Sequence, residues 1–112
     1  MKLLITVVQD TDSDYLIDRL TEKGFRVTIL SSTGGFLKSG NTTILTGIEE
    51  DKLGEYLEIV KNNCKRREVT KTIQSAAMPG QNFSSTLLAM PVQVVVGGAS
   101  VFILDAFDFK KY

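Results

Sequence analysis

Apolar residues recur in this chain with two different periods, and the order in which those periods alternate leaves few folds open. Residues 3–8, Leu-Leu-Ile-Thr-Val-Val, form a β-rich run without clean alternation. Residues 10–14 then offer several candidate N-caps, with Thr11 and Asp14 at capping-box spacing, and Leu16, Ile17 and Leu20 follow on one helical face. Lys23 and Gly24 supply the cation and the left-handed-tolerant residue that end a helix. Residues 25–30 alternate, with Phe25, Val27 and Ile29 on one side and Arg26, Thr28 and Leu30 on the other. A Gly-containing connection, residues 34–40, leads to another β-rich run at 42–47. Glu49, Glu50 and Asp51 suit the positive end of a helix dipole, and Leu53, Tyr56, Leu57, Val60 and Cys64 behind them form a helical stripe.

Residues 66–90 carry the weakest structural signal. They are polar and rich in Ser and Thr, with Met78-Pro79-Gly80 in their middle, and they read as a long loop. Two β-rich runs, 92–96 and 99–104, flank Gly97-Gly98 and read as a terminal hairpin or as one strand broken at a bulge. The order is thus β-α-β-β-α-β with a C-terminal β-hairpin, which predicts an α+β, ferredoxin-like sandwich built as a single domain over residues 1–112.

In such a sandwich the two helices cover one face of the sheet, and a monomer's other face should be polar. Here Leu3, Leu4, Ile5, Val7 and Val8 are apolar at both parities, as are Val94 with Val96 and Val95 with Val101. The second face is therefore expected to pack against other copies of the chain.

Composition narrows the functions. Thirteen Lys and Arg balance thirteen Asp and Glu, which argues against a basic surface for nucleic acid or membrane. The balance hides a modest asymmetry, net −3 over 1–56 (six cations, nine anions) and net +3 over 57–112 (seven and four). The chain has no His, the commonest general base and a leading zinc ligand, so the usual catalytic and metal arrangements are missing. Its single Cys64 falls on the helical stripe and reads as core, and a small domain without disulfides fits the cytoplasm. No apolar run approaches ~20 residues, the length that spans a bilayer. The sequence predicts no enzyme, no metal and no cofactor. The cations Lys61, Lys65, Arg66 and Arg67 read first as complements to the end of the second helix, and second as an anion site.

The informative segment is 33–47, Thr-Gly-Gly-Phe-Leu-Lys-Ser-Gly-Asn-Thr-Thr-Ile-Leu-Thr-Gly. A plain hairpin explains its glycines but gives no reason for Phe36 and Leu37 at the centre of the loop. Arg26 and Thr28 lie on the strand leading into it. Arg can pair with phosphate, the Asn41 amide can read an adenine edge, and a ring can stack on a base. The set suits a nucleotide, although loop and interface packing would use the same residues. No P-loop and no RNA-binding aromatic motif occurs.

The string Thr-Gly-Gly-Phe-Leu-x-x-Gly-Asn-Thr-Thr-x-Leu-x-Gly resembles the signature of the PII-like cyclic-di-AMP receptor proteins. Val-Val-Gln-Asp near the start, Phe25-Arg26-x-Thr28 and the late Val-Gly-Gly-Ala-Ser-Val-Phe resemble that family too, so the similarity covers nearly the whole chain. The resemblance implies a bacterial, cytoplasmic, homotrimeric signal-transduction protein that binds cyclic di-AMP between neighbouring subunits, under the two loops. It implies a pocket lined by Arg26, Thr28, Gly35, Phe36, Leu37, Asn41, Gly47 and Phe102, and a downstream protein that reads the rearranged loops. The chain departs from the family pattern at Gly24, commonly Asn, and in residues 105–109, which lack a Gln often placed near the C-terminus. Two other readings stay open: a PII-like sensor of ATP or another adenine nucleotide, and a protein-interaction module gripping a partner through Phe36 and Leu37.

Overall fold

A computed structural model describes residues 1–30, 40–74 and 89–112 of the chain. They form two compact units, Met1–Arg66 with Gly97–Tyr112 and Arg67–Val96. The first unit holds β1 (Lys2–Gln9), α1 (Asp10–Glu22), β2 (Thr28–Leu30), β3 (Asn41–Ile48), a 3₁₀ turn (Glu50–Lys52), α2 (Leu53–Cys64) and, after the second unit, β6 (Ala99–Asp105). Its sheet runs β2-β3-β1-β6 with every neighbouring pair antiparallel. This is the expected α+β, ferredoxin-like sandwich.

Register explains the layering, because residues paired across an antiparallel ladder share a face. Leu4, Thr6 and Val8 of β1 stand with Ile44, Thr46 and Ile48 of β3, and all six are buried. The helices supply Leu16 and Leu20 from α1 and Tyr56, Val60 and Cys64 from α2 to the same core. Cys64 is fully buried, in keeping with its place on the stripe. Phe25 meets the Tyr56 ring edge-on, centroids 5.5 Å apart. A polar pair lies inside this core. The Tyr56 phenol and the Thr6 hydroxyl share a 2.6 Å hydrogen bond, while the buried Thr46 hydroxyl near the same phenol lies outside hydrogen-bond geometry. Burial pushes the Tyr56 phenol above its ordinary value, and the bond to Thr6 opposes that rise.

α1 ends as the sequence anticipates. Gly24 sits at φ +88°, its N–H donates to the Thr21 carbonyl, and the Phe25 N–H reaches back to Leu20. That is a Schellman ending, with Phe25 and Leu20 buried together as its hydrophobic contact. The start of α1 differs. Gln9 is the N-cap and makes no side-chain cap bond, while Asp10 is already helical and its carbonyl accepts from the Ser13 hydroxyl at 2.8 Å.

The second unit is a ribbon of β4 (Arg67–Gln74) and β5 (Ala89–Val96), paired antiparallel from Arg67 opposite Val96 to Gln74 opposite Ala89. The expected loop at 66–90 is therefore a strand over its first part, and residues 75–88 lie outside the described residues. The two runs around Gly97-Gly98 are strands, but they do not form a hairpin with one another: β5 pairs with β4, and β6 pairs with β1. Gly97 and Gly98 both take positive φ, 84° and 101°, and turn the chain from one sheet to the other. Val94, Val95 and Val96 consequently belong to a different sheet from β1.

That second face is apolar all the same. Leu3, Ile5 and Val7 share it with Leu45 of β3, Leu30 of β2, and Phe102 and Leu104 of β6. Phe102 is 57% exposed, and Leu30 and Leu104 are nearly half exposed.

Candidate functional site

The sheet places Arg26, Thr28 and Gly47 at one end of this apolar face. Thr28 opposes Leu45 in the β2–β3 ladder, and Gly47 opposes Leu3 in the β1–β3 ladder, so both lie on the face the helices leave open. Arg26, two residues before Thr28, is exposed beside them. Together they line a groove of about 410 Å³, floored by Leu3 and Leu45 and walled by Asp108 and Phe109 of the C-terminal segment. Arg26 and Gly47 also border a shallower groove of about 280 Å³ that includes Lys23, Gly24, Glu49 and Lys52. Arg26 thus stands between two recesses at the same sheet end.

Gly47 shapes the larger recess. Its φ is not positive, and a Cβ built there would meet nothing nearer than the Met1 Sδ at 3.9 Å. The backbone therefore accepts other residues, and what a side chain would change is the open space of the groove. The Ala106 N–H donates to the Met1 carbonyl at 3.1 Å, and the Lys2 ammonium pairs with the Asp105 carboxylate, which together anchor the C-terminal wall. That pairing raises the Lys2 pKa and lowers that of Asp105, through the hydrogen bond first in each case. The one anion on the wall, Asp108, is paired with Lys110 at 3.0 Å, which tempers its repulsion toward an anionic ligand.

The remaining expected site residues lie elsewhere. Asn41 is exposed opposite Gln9 at the far end of β3. Gly47 lies six residue steps further along the strand, a span of about 20 Å. Phe102 is opposite Ile5 on the same open face, outside both grooves. Gly35, Phe36 and Leu37, and the loop 34–40 apart from Gly40, lie outside the described residues. The sequence reading missed the C-terminal wall. Only the register of β6 with β1, which carries Asp105 to Lys2, could have revealed that 106–109 return to the groove. Among the described residues no group of three or more His, Cys, Asp or Glu could hold a metal ion, and no helix is long and apolar enough to cross a membrane.

A family model described as cyclic-di-AMP receptor matches residues 1–112, the whole chain. The chain belongs to the cyclic-di-AMP receptor family. This is a family of receptors and not of enzymes, and cyclic di-AMP is its ligand. The chain is also similar to a functionally unknown protein from Pediococcus pentosaceus whose crystal structure is known. The two are 40% identical, the similarity covers 99% of this chain and 96% of that one, and the TM-score is 0.75. Within the family, the departure at Gly24 has a structural setting. The Gly24 backbone is left-handed, which Asn tolerates better than other non-glycine residues, and no atom lies within 4 Å of where its Cβ would stand.

Proposed function

We propose that this protein is a cytoplasmic signal-transduction receptor, assembled as a homotrimer, that binds cyclic di-AMP in the clefts between subunits. Its two long connections, 31–39 and 75–88, rearrange around the ligand and are read by a downstream protein. The observation that carries this reading is the exposed pair Arg26 and Thr28, set beside Gly47 in a groove at the end of an apolar sheet face, in a chain of the cyclic-di-AMP receptor family. Arg26 offers a charge-assisted contact to a phosphate, and Thr28 a hydroxyl. Asn41, at the other end of β3, supplies its amide to an adenine from across a subunit boundary. Phe36, Leu37 and Phe102 complete the apolar walls. A subunit boundary at this face is supported by its exposed apolar side chains and by β6, an edge strand with Phe102, Ile103 and Leu104 all at least 44% exposed.

Titration calorimetry with cyclic di-AMP, cyclic di-GMP and ATP tests the ligand, and light scattering tests the assembly. Cyclic di-AMP should bind most tightly, and Arg26→Ala should weaken it by roughly 10–100-fold, the worth of a hydrogen bond to a charged group. Absence of heat with cyclic di-AMP, or an Arg26→Ala protein that binds as well as the parent, would overturn the proposal.

A further inference from the structure

The end of β1 touches both the foot of the 31–39 connection and the Gly97-Gly98 turn that leads into β6. On one side the Asp10 N–H donates to the Gly40 carbonyl at 3.0 Å, and the Thr42 hydroxyl donates to Asp10 Oδ1 at 2.5 Å. A Cβ at Gly40 would stand 3.2 Å from Asp10 Oδ2, so the chain leaving the 31–39 connection is packed closely on that carboxylate. The next residue, Asn41, is the register partner of Gln9. On the other side, Gln9 Oε1 accepts the Gly97 N–H at 2.7 Å, and the Gly98 N–H donates to the Cys64 carbonyl at 2.5 Å. Gln9 is the N-cap of α1, yet its side chain gives no bond to the helix. Ser, Thr, Asp or Asn would cap better, being short enough to reach the helix's own N–H groups. The longer Gln side chain is turned outward to a backbone N–H 88 residues away in sequence.

We propose that Gln9 is a positioning residue that ties the foot of the 31–39 connection, at Gly40–Thr42, to the Gly97-Gly98 turn. A shift at the foot is thereby carried to the turn through a single side chain and the Gln9–Asp10 backbone. The tie rests on the cyclic-di-AMP reading only in its consequence, which is that the foot of the 31–39 connection, with Asn41, is set before ligand arrives. Preorganisation of this kind strengthens binding by removing an ordering cost from the binding step. Both glycines of the turn have positive φ, and the Gln9 bond to Gly97, with that of Gly98 to Cys64, holds this geometry.

An isosteric pair of variants separates the acceptor from the bulk of the side chain. Gln9→Glu keeps an oxygen of the same reach, and Gln9→Met keeps the length without a strong acceptor. Amide hydrogen exchange, measured on the ligand-free protein, should show Gln9→Met losing protection at Gly97 together with faster exchange at Asn41 and Thr42. Gln9→Glu should restore both. If cyclic di-AMP binds the parent, Gln9→Met should weaken it by about tenfold, one hydrogen bond's worth, and Gln9→Glu should recover most of that loss. Arg26→Ala serves as the control that reports on the ligand site alone. Failure of the parent to bind cyclic di-AMP would remove the functional reading and leave the tie to be judged by exchange. Unchanged exchange at Asn41 and Thr42 in Gln9→Met would overturn the tie. So would a binding loss that Gln9→Glu fails to rescue.

Discussion

Replacing Tyr56 with Phe removes one oxygen from the buried core, and its cost can be worked from two neighbours, Thr6 and Phe25. Tyr56 and Thr6 are both 0% exposed and share a 2.6 Å bond. Water cannot replace the lost partner, so the Thr6 hydroxyl is left buried and unsatisfied, at about 1–3 kcal/mol. Ring packing against Phe25 is retained, so no cavity term adds to this. For a domain of this length the loss corresponds to a Tm lowered by about 4–12 °C. Thr6→Val should cost a similar amount, since it strands the phenol instead. The double variant removes both polar atoms and should be far closer to the parent than the two losses summed. Urea and thermal unfolding followed by circular dichroism, at one fixed protein concentration, measure all four proteins. Additive losses, or a Tyr56→Phe change under about 0.5 kcal/mol, would refute the idea that this buried pair is a coupled unit. The same series carries a pH signature. Burial raises the phenol's pKa in the folded protein, so above pH 10.0, its ordinary value, the unfolded chain releases the proton first. Stability contributed by the protonated phenol is full below that pH and is lost as pH rises toward the folded value. The parent should therefore fall more steeply than Tyr56→Phe in alkaline unfolding experiments.

Variants at three further positions probe the core, the helix ending and the groove. Thr46→Val swaps a buried hydroxyl without a bond for a methyl of the same shape, and should raise stability by about 1 kcal/mol in urea unfolding. Gly24→Ala should cost about 1–2 kcal/mol because φ is +88°, while Gly24→Asn should cost clearly less and leave room for a polar contact near Arg26. Gly47→Val should keep the Tm within a few degrees yet abolish measurable heat with cyclic di-AMP, since its side chain enters the groove beside Arg26 and not the core. Calorimetry showing undiminished binding by Gly47→Val would separate the ligand from this groove.

Much of the fold was legible because it is written in local patterns. The α2 stripe Leu53, Tyr56, Leu57, Val60 and Cys64 faces inward at three of its five positions as buried core, with Leu53 and Leu57 packed at its margin. Lys23-Gly24-Phe25 encoded the helix ending down to its hydrogen bonds. The β6 pairing was not legible, because Gly97-Gly98 announces a turn without naming the strand that receives the chain afterwards. The strand at Arg67–Gln74 was hidden for a related reason. Its alternation of Val69 and Ile73 with Thr, Lys and Glu is too polar to stand out, and its partner begins 22 residues after Arg67, at Ala89.

For the site the division is similar. Residue chemistry pointed to Arg26 and Thr28, the family resemblance added Gly47, and the fold gathers those three into one groove. It separates Asn41 and Phe102 from them within a chain, and it adds Asp108 and Phe109, which nothing local in the sequence announces. The sequence by itself determined every strand and α-helix of the first unit, the inward stripes and the family, because periodicity, capping and a dense glycine-and-polar motif are read over a few neighbouring residues. The tertiary structure alone decided which strands pair, which end of the sheet holds the groove, and how Gln9 comes to meet Gly97. Those depend on contacts between residues far apart along the chain, whose register no local pattern specifies.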